Sequence, residues 1–211
     1  MIATLFVLAA LETPDLISRA APLAPLVLAQ AEADVDHDGS PDTISITMVA
    51  GDITGGGCAG PSDDVHRWSG RFIVTVRLAT GRSVSTYLNP LFGPERDLEF
   101  WAPPWTLFVA DYRHDGQPGF SLAETSCHNN ADYHLFTVRP DGVVEALCIA
   151  GSYSVFVFDY EASTADIKLN AGGFSTGLYD NSRGVGCESF WGWNPVREQF
   201  DLIDQKCGTP P

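Results

Sequence analysis

Residue patterning along this chain predicts an all-β protein. Runs with a period of two or with β-branched content recur, tetrapeptides of turn chemistry separate them, and no stretch sustains a capped 3.6-residue apolar period. The 20 Gly and 14 Pro are dispersed, which punctuates the chain too often for a helical bundle. With 211 residues and 45% apolar content, one sizeable core can be buried.

In chain order, strands are predicted over residues 43–48, 72–78, 82–88, 106–110, 120–124, 133–138, 143–149, 154–159, 190–193 and 199–203. The segments ATGR, RPDG and NPVR supply turns between some of them. Residues 51–70, which hold Gly55, Gly57 and Gly60, read as a mobile surface loop. The GxGxxG spacing there is followed by Asp63 and Asp64, which would repel a phosphate.

An export signal is expected within residues 1–31, leaving 32–211 as a single β domain. The apolar run 1–11 is one candidate for its core; another starts after Arg19, spans 20–28 and ends at Ala29-Gln30-Ala31. The competing reading makes Leu26–Ala33 a native strand, so that a cut there would damage the fold. No later segment is apolar for long enough to form a membrane helix.

Twenty-seven acidic and 12 basic residues give a net charge of −15. That balance repels phosphate backbones and anionic lipid and favours cations. Within it lies an internal repeat. Residues 34–42, Asp-Val-Asp-His-Asp-Gly-Ser-Pro-Asp, and 111–119, Asp-Tyr-Arg-His-Asp-Gly-Gln-Pro-Gly, agree at five of nine positions. A fainter echo starts at Asp159. Each unit reads as strand, acidic loop and further strands, the arrangement of stacked or radial sheets.

In the first copy Asp34, Asp36 and Asp38 alternate, so a curling loop can aim all three at one centre. Gly39 permits the bend, Ser40 offers its carbonyl and Asp42 closes the far side. These are positions 1, 3, 5, 7 and 9 of a calcium loop. Four carboxylates within nine residues, with no Lys or Arg among them, repel one another unless a cation intervenes. The alternating strand that follows argues against an EF-hand. In the second copy Arg113 replaces one carboxylate and Gly119 another. Arg113 is expected to pair with Asp111 and Asp115 and to hold the loop without metal. His37 and His114, at matching places, are expected to face solvent or a neighbouring unit.

The motif DVDHDGSPD followed by TISITM resembles the FG-GAP or VCBS repeat. The resemblance implies a small or incomplete β-propeller-like array of antiparallel sheets with Ca2+ in the loop, held by Asp34, Asp36, Asp38, Ser40 and Asp42. Length, acidic loop, export signal and the segment Tyr133-His-Leu-Phe-Thr-Val-Arg-Pro-Asp-Gly are also similar to small periplasmic propeller-like proteins that inhibit lysozyme-type hydrolases. That likeness implies a protein partner.

Five cysteines and no CxxC spacing point to structural disulfides. A hairpin turning at Asn194-Pro195-Val196-Arg197 places Trp193 opposite Phe200 and Trp191 opposite Leu202. Its extension brings Cys187 opposite residue 206 or 207, which predicts a Cys187–Cys207 disulfide. Cys127 and Cys148 flank a second hairpin and form a second candidate pair, leaving Cys58 over.

Other motifs carry less. Gly173-Phe174-Ser175-Thr176-Gly177 satisfies the nucleophile-elbow pattern but lacks a following helix and a later histidine. Cys127, His128, Asp132 and His134 could ligate a transition metal, though a polar hairpin entrance explains them too. Trp191 and Trp193, two residues apart, read as core more readily than as a sugar platform, and Glu95, Asp97 and Glu99 as a solvated edge. The sequence therefore predicts a non-enzymatic, exported, calcium-stabilised module acting on a protein partner. The alternative is a cation-dependent hydrolase of glycan or phosphate, which would need convergent acid and base groups in a cleft.

Overall fold

Alternation turns every second side chain of the segment after the first acidic loop inward: Ile44, Ile46 and Met48 are fully buried, whereas Thr43, Ser45 and Thr47 face outward and are only half-buried. The computed structural model describes residues 25–55, 66–93, 96–101, 105–124, 130–158, 163–180 and 182–208. Among them the chain is all-β, with one short 3-10 turn at Asn89–Phe92. No helix among the described residues is long and apolar enough to cross a membrane.

The strands of the described residues form three five-stranded sheets. The first contains β1 (Leu26–Ala33), β2 (Asp42–Gly55), β3 (His66–Arg77), β4 (Ser83–Tyr87) and β5 (Leu98–Trp101). β4 pairs with Ile73–Arg77 of β3 and β5 with Arg67–Gly70, so the two lie end to end along one edge of β3. The buried Asn89 side chain bridges their junction. Its Oδ1 accepts the Phe72 N–H at 3.0 Å, and its Nδ2 donates to the Gly70 carbonyl at 3.1 Å and the Arg96 carbonyl at 2.7 Å. The amide thereby replaces ladder bonds that neither strand supplies.

The second sheet repeats this plan with β6 (Val109–Ala110), β7 (Gly119–Ala123), β8 (Asn130–Val138), β9 (Val144–Ala146) and β11 (Val155–Phe158). β9 pairs with Phe136–Val138 and β11 with Asn130–Tyr133, again end to end along one strand. The intervening β10 (Cys148–Ile149) instead joins the third sheet, where it runs parallel to β15 (Gln199–Gly208). β12 (Lys168–Asn170), β13 (Gly173–Asp180) and β14 (Val185–Asn194) complete that sheet as an antiparallel meander.

The second sheet is buried on both faces. Phe120, Leu122, Phe136 and Val138 join one core with Ile44, Met48, Phe72, Val76 and Phe100 of the first sheet. Tyr133, Leu135, Val155 and Val157 join another with Phe174 and Phe200 of the third. The outer face of the first sheet carries polar pairs, with Thr75 bonded to Ser85 and Arg67 and Arg71 paired to Glu99 and Asp97, beside the exposed Val27 and Tyr87. The carboxylates at 97 and 99 thus form the solvated edge their spacing suggested. Trp191 and Trp193 pack against the second core, in ring contact with Phe174 and Phe200 respectively.

Several expectations are corrected. Residues 51–55 and 66–70 are paired strand rather than loop, in register from Gly51↔Gly70 to Gly55↔His66, while 56–65 lie outside the described residues. Gly51 and Gly70, at φ +148° and +158°, oppose each other closely; a Cβ on either would lie 2.1 Å from the opposing strand's carbonyl oxygen. Only glycine fits this crossing, next to the register shift between Met48 and Ala50. The GFSTG segment is strand β13, not a strand-to-helix elbow. Cys148 is a free thiol, so it is not bridged to Cys127; Cys58 and Cys127 lie outside the described residues.

The disulfide Cys187–Cys207 is present and joins directly opposed residues of β14 and β15. Cross-linking positions 20 residues apart constrains the unfolded chain, which stabilises the fold by about 3 kcal/mol. Leu26–Ala33 is strand β1, paired to β2 from Leu26↔Met48 to Ala33↔Asp42. A cut after Ala31 would remove most of it. The candidate leader core at 1–11 lies outside the described residues.

Candidate functional site

The first acidic loop joins β1 to β2, and its shape follows from short side chains that bond their own backbone. Asp34 Oδ2 accepts the Gly39 N–H at 3.1 Å, Asp36 Oδ1 the Asp38 N–H at 3.3 Å and Asp38 Oδ1 the Ser40 N–H at 2.7 Å. His37 and Gly39 take left-handed conformations, φ +59° and +85°. Val35 between the aspartates is fully buried and anchors the loop to the first core.

Asp42 ends the loop differently. It is 1% exposed, and its two oxygens accept the Val35 N–H at 2.8 Å and the Ala79 N–H at 2.7 Å, tying the loop to the turn between β3 and β4. Asp34, Asp36 and Asp42 each bring a carboxylate oxygen within 4.8 Å of the others. Asp38 stands outside that triad, with one oxygen engaged by Ser40, and Ser40 is half-buried beside it. Unit charges 4 Å apart repel by about 1 kcal/mol in water and about 4 kcal/mol near a protein surface. A donor set made only of oxygens suits a hard divalent cation, and an irregular cage suits calcium better than magnesium.

The second loop joins β6 to β7 on the same backbone plan. His114 and Gly116 have φ +56° and +90°. Asp111 Oδ2 accepts the Gly116 N–H at 2.8 Å, and Asp115 Oδ1 accepts the Gln117 N–H at 3.1 Å. Arg113 pairs with Asp115 at 2.8 Å, as its position suggested, and its guanidinium lies over the Trp193 ring. The expected partnership with Asp111 is replaced by amides, since Asp111 Oδ1 also accepts the Asp115 N–H.

The two histidines link successive units. His37 shares a 2.6 Å hydrogen bond with the Gln117 amide of the second loop. His114 Nε2 lies 3.2 Å from the Gly173 carbonyl, where β13 begins in the third sheet. Each left-handed histidine thus reaches the corresponding corner of the next sheet, the inter-unit role weighed for it above.

Sequence reasoning missed two cavities flanking β9. One, about 450 Å³, is lined mainly by Pro90, Leu91, Phe92, Val144 and Tyr153, with His134 tilted against Phe92 at 4.2 Å between ring centroids. Burial pushes the His134 pKa down, against the opposing pull of Glu124 and Asp132. Asp132 is exposed, and Cys127 and His128 lie outside the described residues. The second cavity lies between the second and third sheets beside Arg113. No signal in the sequence marks either, because their walls come from three separate sheets.

Fold and loop together define a class: an all-β protein of mainly antiparallel sheets with an acidic, aspartate-lined loop. Comparison adds no narrower membership, as no protein-family model and no curated protein matches the chain.

Proposed function

We propose that this chain is an exported, calcium-stabilised, propeller-like module that acts by binding a protein, with inhibition of a lysozyme-type hydrolase as its task. The convergence of Asp34, Asp36 and Asp42 carries the reading. Three carboxylates gathered by folding favour a cation that offsets their repulsion, with Asp38 and the Ser40 carbonyl available to complete the oxygen shell. The matching strand order of the first two sheets supports a repeated, propeller-like plan, and the disulfide supports an oxidising compartment.

Calcium has a structural role in this reading. Folding then depends on free metal, and unfolding curves with calcium and with EDTA test it. A raised midpoint and stoichiometric calcium in the native protein by mass spectrometry are expected; an unchanged midpoint with no bound calcium overturns it. The partner is tested separately, by titrating the calcium-loaded protein into a lysozyme-type hydrolase. Loss of hydrolysis is expected, and unchanged hydrolysis at molar excess removes that task.

A further inference from the structure

β15 pairs with β14 from Gln199 to Gly208, slipping one residue at Ile203, but on its other side β10 covers only Gln199 and Phe200. Among the described residues no strand lies beside the stretch 201–208 on that side. Every residue from Leu202 to Gly208 is exposed, Leu202 at 47% and Ile203 at 69%. Backbone groups on this edge are free to bond. Cys187 and Cys207 are directly opposed with Cα atoms 4.0 Å apart, the close spacing of a non-hydrogen-bonded antiparallel pair, so the N–H and C=O of Cys207 turn away from β14. By the same alternation those of Gln205, opposite Ser189, turn outward too. A lysine on such an edge usually repels a second strand. Here Lys206 is offset by Asp204, two residues away on the same face.

We propose that this edge pairs with the same edge of a second copy of the chain, antiparallel about a two-fold axis at Gln205. The segment Asp204-Gln205-Lys206 is its own complement in that arrangement: each Asp204 faces the Lys206 of the other copy, and the two Gln205 residues exchange backbone hydrogen bonds. Leu202 and Ile203 come to lie beside Gly208 and Cys207 of the other copy. Lys206 lies 3.8 Å from Asp204 of its own strand, yet both side chains are more than half exposed, and the ammonium has donors left for a second carboxylate. A net charge of −15 on each copy opposes association. At physiological ionic strength, charges farther apart than about 8 Å are largely screened, whereas the facing pairs are not. The ladder is short, so the dimer is weak, with a Kd on the order of 10–100 μM. At the far edge of the sheet β12 has only three residues, so pairing closes at two copies and does not run on as a filament.

Sedimentation equilibrium of the full chain over a concentration series, at physiological salt, tests the pairing and should show a reversible monomer–dimer equilibrium. Asp204→Lys sets lysine against lysine and Lys206→Asp sets aspartate against aspartate, so each should weaken dimerisation by about tenfold. Combining the two substitutions restores opposite charges across the axis and should recover the wild-type Kd. Gln205→Pro removes an outward N–H that β14 does not use; it should keep the far-UV spectrum and the Cys187–Cys207 disulfide while remaining monomeric. A wild-type chain that stays monomeric up to about 1 mM overturns the proposal and leaves the edge to a strand of another protein. A dimer unmoved by Gln205→Pro, or a double variant that associates no more tightly than either single one, overturns it as well.

Discussion

The two acidic loops share a backbone and differ in what neutralises it. Both place a histidine and a glycine in left-handed conformations, and both fold their first aspartate back onto the glycine amide. In the first loop three carboxylates converge, and the buried Asp42 stitches the loop to the next turn. In the second loop that position is Gly119, and Arg113 supplies a positive charge that pairs with Asp115. Loop shape is thus carried by amides and Asx bonds common to both copies, whereas charge compensation is free to vary. One copy keeps three converging carboxylates, and the other carries a positive charge in a side chain.

The largest expected effect separates Asp42 from its counterpart. Asp42→Ala leaves the buried Val35 amide and the part-buried Ala79 amide without their acceptor and should cost roughly 2–4 kcal/mol in denaturant unfolding, whereas Gly119 offers no such tie. A cost below about 1 kcal/mol would mean that water replaces the carboxylate readily. Calcium comes next. At a hundredfold excess over Kd it should stabilise the protein by about 2.7 kcal/mol, and Asp36→Asn should remove most of this response without touching the Asp42 tie.

The shared backbone makes a more symmetrical prediction. Gly39→Ala and Gly116→Ala both force a Cβ into a left-handed residue, the first in open space and the second in ordinary contact with His37 Cε1 at 3.8 Å, so each should cost about 1–2 kcal/mol. Strongly unequal costs without metal would show that the loops are not equivalent frames. Arg113→Asp restores the missing carboxylate. It should lower metal-free stability by about 1 kcal/mol, through the lost half-exposed ion pair, and create a second calcium response by titration calorimetry; no added heat would refute the side-chain-cation account.

The smallest effect distinguishes loop from junction. His134 lies in the groove between the first two sheets, and burial lowers its pKa in the folded state. Its unfolded value is about 6.5. Stability from keeping it neutral is therefore complete above that pH and is lost as pH falls through the lower folded value, by at most about 1.4 kcal/mol per pH unit. His134→Phe should flatten this part of the stability profile while leaving the calcium response intact.

Much of this was legible in the residues. Alternation located most strands, although β5, β12 and β13 escaped and β1 entered only as the competing reading of a candidate leader. β13 forms because β12 and β14 flank it and Phe174 faces the core, a tertiary cause that overrides the weak propensity of GFSTG. The hairpin at Asn194 was readable down to Trp193↔Phe200 and Trp191↔Leu202, yet the cysteine register remained open between 206 and 207. A bulge between Phe190 and Trp191 decides it, shifting the ladder by one residue and bringing Cys207 opposite Cys187. The acidic positions were legible as a loop. That Asp42 would be buried against the Ala79 amide was not, since its partner lies 37 residues away.

Sequence alone sufficed for whatever depends on near neighbours: strand periodicity, turn chemistry, and the self-bonding aspartates whose amides lie two to five residues away. Only tertiary packing could set which sheets stack, which cysteine is bridged, where the strand ladder slips, and which polar atoms are enclosed without a partner. Those outcomes depend on surfaces meeting across long stretches of chain, where burial and steric fit outweigh any local preference.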